Sequence, residues 1–246
     1  MAYIGVVFTA LFFGNFTNKI KIVLFAGAFF CFWAMVYSGA RTSYILLPIG
    51  FVFFAILTAR TNVLIGVGVS LFIGAAVLFS PIQHPSLFLI RTAFSPKDDP
   101  SYLVRVYNQA RIHPWMRTHP FGGGLGSSGL LGAKYAPGTF LADFPPDSEL
   151  VRTALEKGWI GLVLYLSLLF IGLKTGIDTY YNARLLFTKT VSAALTTSLF
   201  IIIIANYPQE VMQMSIYFYF ALCMAMLSKM KQIEEKELKD DTIAGN

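Results

Sequence analysis

The sequence predicts an all-α polytopic membrane protein, with about six to seven transmembrane helices and one long extracytoplasmic loop that contains short helices. Three observations predict it. Apolar residues make up 56% of the 246-residue chain and charged residues 13%, with a mean hydropathy of +0.63; soluble domains carry about 25% charge. The apolar residues fall in long charge-free runs. Nine of the eleven prolines, and all three histidines, lie in the single interval 81–146.

The runs occupy about 1–14, 20–38, 43–59, 62–80, 158–177, 188–206 and 210–228. Each approaches the roughly 20 residues that a helix needs to cross the hydrocarbon core, the first being the shortest. Spanning segments must be helical, because lipid offers a bare backbone no hydrogen-bond partner. Cys31 and Cys223 both sit inside apolar runs, which suits neither a disulfide framework nor a metal cluster. The net charge of +6 would suggest nucleic acid for a soluble protein. Here it stems from the lysines and arginines that orient spans, so no nucleic-acid partner is expected.

Those basic residues set an orientation. Lys19 and Lys21 precede the second run, Arg60 separates the third from the fourth, Lys174, Arg184 and Lys189 flank the next turn, and Lys229, Lys231, Lys236 and Lys239 lie in the tail. With all of these cytoplasmic, the N-terminus and the connections 39–42, 81–157 and 207–209 are outside. The resulting organisation is 1–80 as about four spans, 81–157 as an extracytoplasmic catalytic loop, 158–228 as about three spans and 229–246 as a cytoplasmic tail, helical or disordered. The opening "MAYIGVVFTALFFG" lacks the basic leading region of a cleavable signal. An external N-terminus without a signal is natural when earlier spans precede it, so the chain is expected to be a fragment or a short form of something longer.

Segment 81–157 is polar, irregular and long, and such loops are usually functional. "SYLVRVYNQARI" (101–112) reads as a short amphipathic helix that Pro114 prevents from running on undisturbed. "FPPDSELVRTALEKG" (144–158) starts another: Pro145-Pro146 leads in, Asp147 or Ser148 caps, and Gly158 opens the next span. Between them stands "RTHPFGGGLGSSG" (117–129), in which Gly124, Gly126 and Gly129 satisfy G-x-G-x-x-G. The dinucleotide fingerprint needs a strand before the glycines and a helix after them. A His-Pro-Phe-Gly turn precedes Gly124 and no long helix follows Gly129, so dinucleotide binding is excluded. What remains is either a compact folded loop or a backbone whose N–H groups approach a phosphate.

Arg41, in "YSGARTSY" (37–44), falls at the outer membrane boundary. It is either a snorkelling side chain or a phosphate ligand, since guanidinium pairs with phosphate in bidentate fashion. Arg105 and Arg111 are six residues apart, roughly 240° around a helix, so one of them at most faces a given point. Arg117, His113 and His119 flank the turn, where they are either surface residues or substrate contacts. Asp147 and Glu149 stand where the loop returns to the membrane. Asp147 is either an N-cap or a proton acceptor, and a helix N-terminus weakens it as a base. No metal-ligand spacing is present, and no cofactor is expected.

Taken in order, "SGARTSY" (38–44), an arginine-bearing helix followed by "HPFGGGLGSSG", and "DSELVRTALEKGWIGL" (147–162) resemble the O-antigen ligase and O-antigen polymerase superfamily of bacterial envelope glycosyltransferases. Ligases of that superfamily usually carry His-Asn where this chain has Asp147-Ser148, which favours the polymerase side. Arg105 stands where the family's helical arginine is expected; Arg111 has the family's local spacing to Trp115 but lies closer to Pro120.

The resemblance implies metal-independent transfer of a glycan from a polyprenyl diphosphate to a sugar hydroxyl. It implies a multi-pass protein of the bacterial inner membrane with its active site on the extracytoplasmic face, and polysaccharide-assembly proteins as partners. Arg41 and Arg105 would hold the diphosphate and Asp147 would accept the proton. Arg111, Arg117, His119, Gly122, Gly124, Gly126 and Glu149 would line the substrate. Other classes that suit a polytopic chain are a flippase or transporter of lipid-linked sugars and a non-catalytic assembly subunit. Transporters often carry inverted repeats, and this sequence shows none.

Overall fold

The computed structural model describes residues 1–38, 41–78, 80, 100–142, 144–212 and 214–244. Among them every regular element is a helix: α1 (Ala2–Phe12), α2 (Asn18–Ser38), α3 (Arg41–Thr58), α4 (Thr61–Leu78), α5 (Pro100–Thr118), α6 (Gly129–Tyr135), α7 (Glu149–Asn182), α8 (Leu186–Ala205) and α9 (Met214–Ala244). Three of the described helices are long and apolar enough to cross a membrane: α2, α7 and α8. Segments 2–12, 42–58 and 63–76 are shorter apolar helices; at 1.5 Å per residue α1 extends only about 17 Å.

The chain divides into two compact units. One comprises 1–93, 172–202 and 217–246; the other comprises 94–171 and 203–216. In the first unit α1 packs along α2 and also meets α3. Gly5 and Gly27 allow this approach, since a Cβ at Gly5 would lie 2.6 Å from the Phe32 ring and one at Gly27 3.0 Å from Phe8. Close packing through small residues is how helices associate where lipid removes the hydrophobic drive. The same device joins the end of α7 to α8, where a Cβ at Gly176 would stand 2.3 Å from the Thr196 hydroxyl. Thr196 and Thr197 are fully buried, and each hydroxyl donates to the carbonyl four residues back, on Ser192 and Ala193, so these two polar side chains are satisfied within α8 itself.

The outward residues of α2 and α4 are apolar: Ile22, Phe25, Phe30 and Trp33 on α2, and Ile65, Val69 and Phe72 on α4, are all more than half exposed. A surface of this kind in water would be an association hazard; against acyl chains it carries no penalty. Both cysteines are free thiols, Cys223 buried and Cys31 partly so.

In the second unit α5 does not stop near Ile112 but continues through Pro114 to Thr118. A mid-helix proline removes the bond to the carbonyl four residues back. Here both Pro114 and Ala110 are exposed, so solvent takes that carbonyl, while Ile112, Trp115 and Met116 on the opposite face pack with Leu141, Phe144, Ala154 and Leu155. Buried area on one face outweighs one missing bond on the other.

The chain's last part is expected as a span over 210–228 and a tail either helical or disordered, and of these two alternatives for the tail the helix is found. α9 begins at Met214 and extends through the charged residues to Ala244. Glu234 holds it in place, being buried at 5% exposure with its carboxylate accepting from the backbone N–H groups of Arg184 and Leu185.

Candidate active site

The glycine-rich turn has a structural occupation. α7 is broken at Gly158, which adopts φ +68°. The break frees the last carbonyls of the helical segment 149–157. The turn meets them: Gly123 N–H donates to Leu155 O at 2.8 Å, Gly124 N–H to Glu156 O at 3.0 Å, and Trp159 N–H returns to Pro120 O at 2.9 Å. Gly122, Gly124 and Gly126 all have positive φ. A Cβ at Gly122 would stand 2.6 Å from Gly158 N, and one at Gly158 2.1 Å from Pro120 O. Glycine is required at this crossing because two backbones touch. Within the loop, then, the N–H groups of Gly123 and Gly124 are committed to carbonyls, and that of Gly122 donates to His119 O. The described residues directly before the glycines are the helix α5 and a turn, not a strand, and the helix that directly follows them is the seven-residue α6.

A row of buried polar side chains runs along 149–156. Glu149, Thr153 and Glu156 are at most 6% exposed, and with Arg152 they share one face at i, i+3, i+4 and i+7. Glu156 accepts from Ser128 Oγ at 2.8 Å and from Arg152 Nε at 3.3 Å. Arg152 also pairs with Glu210. Burial would lower the Arg152 pKa, but the carboxylates of Glu156, Glu210 and Glu149 more than offset it and hold the guanidinium above its usual value. Ser148 Oγ donates to Asn206 O at 3.1 Å, and Glu149 N–H to Gln209 O at 3.2 Å. Through these bonds the start of α7 fixes the segment 206–210.

Between α5, the turn before α7 and that segment lies a cavity of about 150 Å³. Its polar lining is Arg105, Asn108, Gln109, Asp147, Ser148 and Tyr207, with Phe144 and Val151 as the apolar floor. Arg105 is half-buried. Asn108, 7% exposed, donates its side-chain amide to Asp147 Oδ2 at 2.8 Å. One wall therefore carries a permanent cation and another carries a carboxylate with a fixed orientation. Such a pair can bind an anionic leaving group and accept a proton.

The other sequence-selected residues are distributed differently. Arg111 lies outside this cavity, its guanidinium 5.3 Å from the Phe140 ring centroid. Arg117 and His113 are exposed. His119 stacks on Trp115 at 4.2 Å and bonds locally to Thr118 Oγ1 and Trp115 O. Gly122 and Gly124 meet α7 at its break, Gly126 lies further along the same turn, and none of the three lines the cavity. Glu149 is buried in the polar row beside it. Arg41 opens α3; its side chain lies outside the described residues, as do Gly39 and 81–99.

Sequence reasoning did not select Asn108, Gln109, Tyr207 or the Ser128–Glu156–Arg152–Glu210 chain. The Arg152/Glu156 spacing of four was a readable signal of pairing. Tyr207, beyond α8, had none.

Among the described residues, then, the protein is all-helical, with exposed apolar helix faces and a polar segment where an arginine and a carboxylate line one cavity. The sequence profile of the family described as O-antigen ligase matches residues 26–166, more than half of the chain, and the chain belongs to that family. Comparison with curated proteins and with solved structures returned no match. Family members are glycosyltransferase-like ligases and polymerases of envelope glycan assembly that act on lipid-linked glycans, typically at the inner membrane.

Proposed function

We propose that this protein transfers a glycan from a polyprenyl diphosphate to a sugar hydroxyl, acting as a polymerase and not as a ligase. The acceptor oxygen forms a bond to the anomeric carbon, the bond from that carbon to the diphosphate breaks, and the hydroxyl proton passes to Asp147. Arg105 binds the diphosphate as negative charge develops on it. Stabilising such charge with fixed cations is usually the largest catalytic contribution. The single observation that carries this reading is the cavity lined by both Arg105 and Asp147.

Arg41 is proposed as a further diphosphate ligand. It begins α3, whose first turn contains no acidic residue. A helix N-terminus and a guanidinium both favour an anion. Gly122, Gly124 and Gly126 contribute at one remove, by shaping the turn that packs on the break in α7. The preference for polymerase rests on Asp147-Ser148 standing where ligases carry His-Asn. The reaction is assigned to the extracytoplasmic face because the basic residues flank the opposite ends of the helices.

The test is incubation of purified protein in lipid with a lipid-linked oligosaccharide, scored for longer glycans. Arg105→Ala should lower the rate about 10²–10³-fold, the scale of losing one charge-stabilising donor, and Asp147→Asn about 10²–10⁴-fold. Arg111→Ala should retain most activity. Unchanged product from Arg105→Ala would remove the reading.

A further inference from the structure

The unit formed by 1–93, 172–202 and 217–246 contains a second cleft that the proposed chemistry does not use. It lies where α1 ends, α3 turns into α4, and α7 turns into α8. One side is polar, with Arg60 and Lys189 accompanied by the hydroxyls of Thr58, Tyr180 and Thr190; the other is apolar, with Phe13, Phe54 and Val63. No carboxylate lines it, and neither Arg60 nor Lys189 makes an ion pair among the described residues. The turn that carries Arg60 is strained: Ala59 has φ +47°, a left-handed conformation costing about 1–2 kcal/mol for a non-glycine residue, and such strain gathers at ligand clamps. With an interior of about 20 Å³, the cleft holds roughly one water-sized group. It can take phosphate oxygens but not a whole molecule.

We propose that this cleft binds a phosphate group, with Arg60 and Lys189 as its ligands. Two unpaired cations beside an apolar wall at the ends of membrane helices suit the phosphate of an anionic lipid whose first methylenes rest on Phe13 and Val63. Basic pockets between spans on the cytoplasmic side recognise such headgroups, and the basic flanks of the helices assign this face to the cytoplasm. The site goes beyond glycosyl transfer and rests only on these helices crossing a membrane.

The test uses the full chain in phosphatidylcholine nanodiscs with phosphatidylglycerol added stepwise, and counts retained lipid by native mass spectrometry. One phosphatidylglycerol should be held preferentially. Arg60→Gln and Lys189→Gln should each weaken retention about fivefold, equivalent to about 1 kcal/mol per cation. Lys189→Arg should keep it, and Lys231→Gln in the exposed tail should leave it unchanged. Inorganic phosphate is titrated in parallel. Displacement of the lipid at low concentration, sensitive to Arg60→Gln, identifies free phosphate as the ligand; failure to displace it identifies the lipid. Each glutamine variant tests the site if the other does not assemble. Wild-type retention in the assembled variants, or an equal loss from Lys231→Gln, overturns the proposal.

Discussion

Asn108 gives its side-chain amide to Asp147 across 39 residues of chain, at 2.8 Å, and only 7% of Asn108 is exposed. The bond ties α5 to the turn before α7 and aims one carboxylate oxygen, leaving the other available to the cavity. Asn108→Ala should therefore act on the reaction and not only on the fold. The lost bond costs about 1 kcal/mol of stability, while a carboxylate free to rotate loses positioning, for which about 10²-fold in rate is the scale of a 1 Å displacement. Asn108→Asp would set two carboxylates together and should be worse than alanine. Rates measured beside thermal midpoints decide the matter: a rate loss no larger than the loss of folded protein would make Asn108 merely structural.

Gly158 is the most constrained glycine of the loop crossing, with φ +68° and a would-be Cβ 2.1 Å from Pro120 O. Gly158→Ala combines left-handed strain of about 1–2 kcal/mol with a backbone clash, and should destabilise by more than about 2 kcal/mol. Gly124→Ala has φ +99° but no atom within 4 Å, so only the backbone penalty applies. Gly66→Ala, in α4 with open space around it, should be neutral or slightly stabilising. Unfolding midpoints in detergent should rank Gly66→Ala above Gly124→Ala above Gly158→Ala. Equal midpoints for the last two would show that the crossing yields easily.

The Ser128–Glu156–Arg152–Glu210 chain offers a second ordering. The Glu156 side chain is 5% exposed and that of Glu210 35%. Glu156→Gln weakens two buried charge-assisted bonds and should cost about 1.5–3 kcal/mol. Ser128→Ala leaves Glu156 still paired to Arg152 and should cost about 1 kcal/mol. Glu210→Gln breaks a pair screened by solvent, worth at most about 1 kcal/mol. Denaturant midpoints would check the order, and a larger effect at Glu210 than at Glu156 would contradict it.

Much of the helical layout was legible because lipid imposes one pattern everywhere. Hydropathy placed α2, α3, α4 and α8 within about two residues of their ends. The errors there arise because hydropathy marks where charge stops and not where the helix stops: α2 begins at Asn18, before its lysines. Tertiary partners were not legible. Pro114 sits inside α5 because the buried face of Ile112 and Met116 outweighs a solvated carbonyl, and no local rule reports that face. The glycines advertised a close approach, but what they approach, the carbonyls of Leu155 and Glu156, lies about thirty residues on. For the cavity, the family resemblance pointed to Arg105 and Asp147, whereas Asn108 and Tyr207 emerge only once α5 and segment 206–210 are packed against α7.

The tail offers a last case in which local sequence and tertiary role diverge. Its mixed charges read as a helix or a disordered end with no tertiary role, yet Glu234 is buried and accepts from the N–H groups of Arg184 and Leu185, just before α8 begins. A helix's first N–H groups lack partners within the helix, and supplying one by a side chain is worth about 0.5–2 kcal/mol. A carboxylate at that end is further favoured by the helix dipole. Glu234→Ala should therefore loosen the α7–α8 turn. Hydrogen exchange at amides 184 and 185 should accelerate about tenfold, the equivalent of roughly 1.4 kcal/mol of local opening, while exchange around Asn108 stays as in the wild type. Glu234→Gln, which keeps an acceptor oxygen but not the charge, should fall between. Wild-type exchange in Glu234→Ala would leave the tail without a tertiary role.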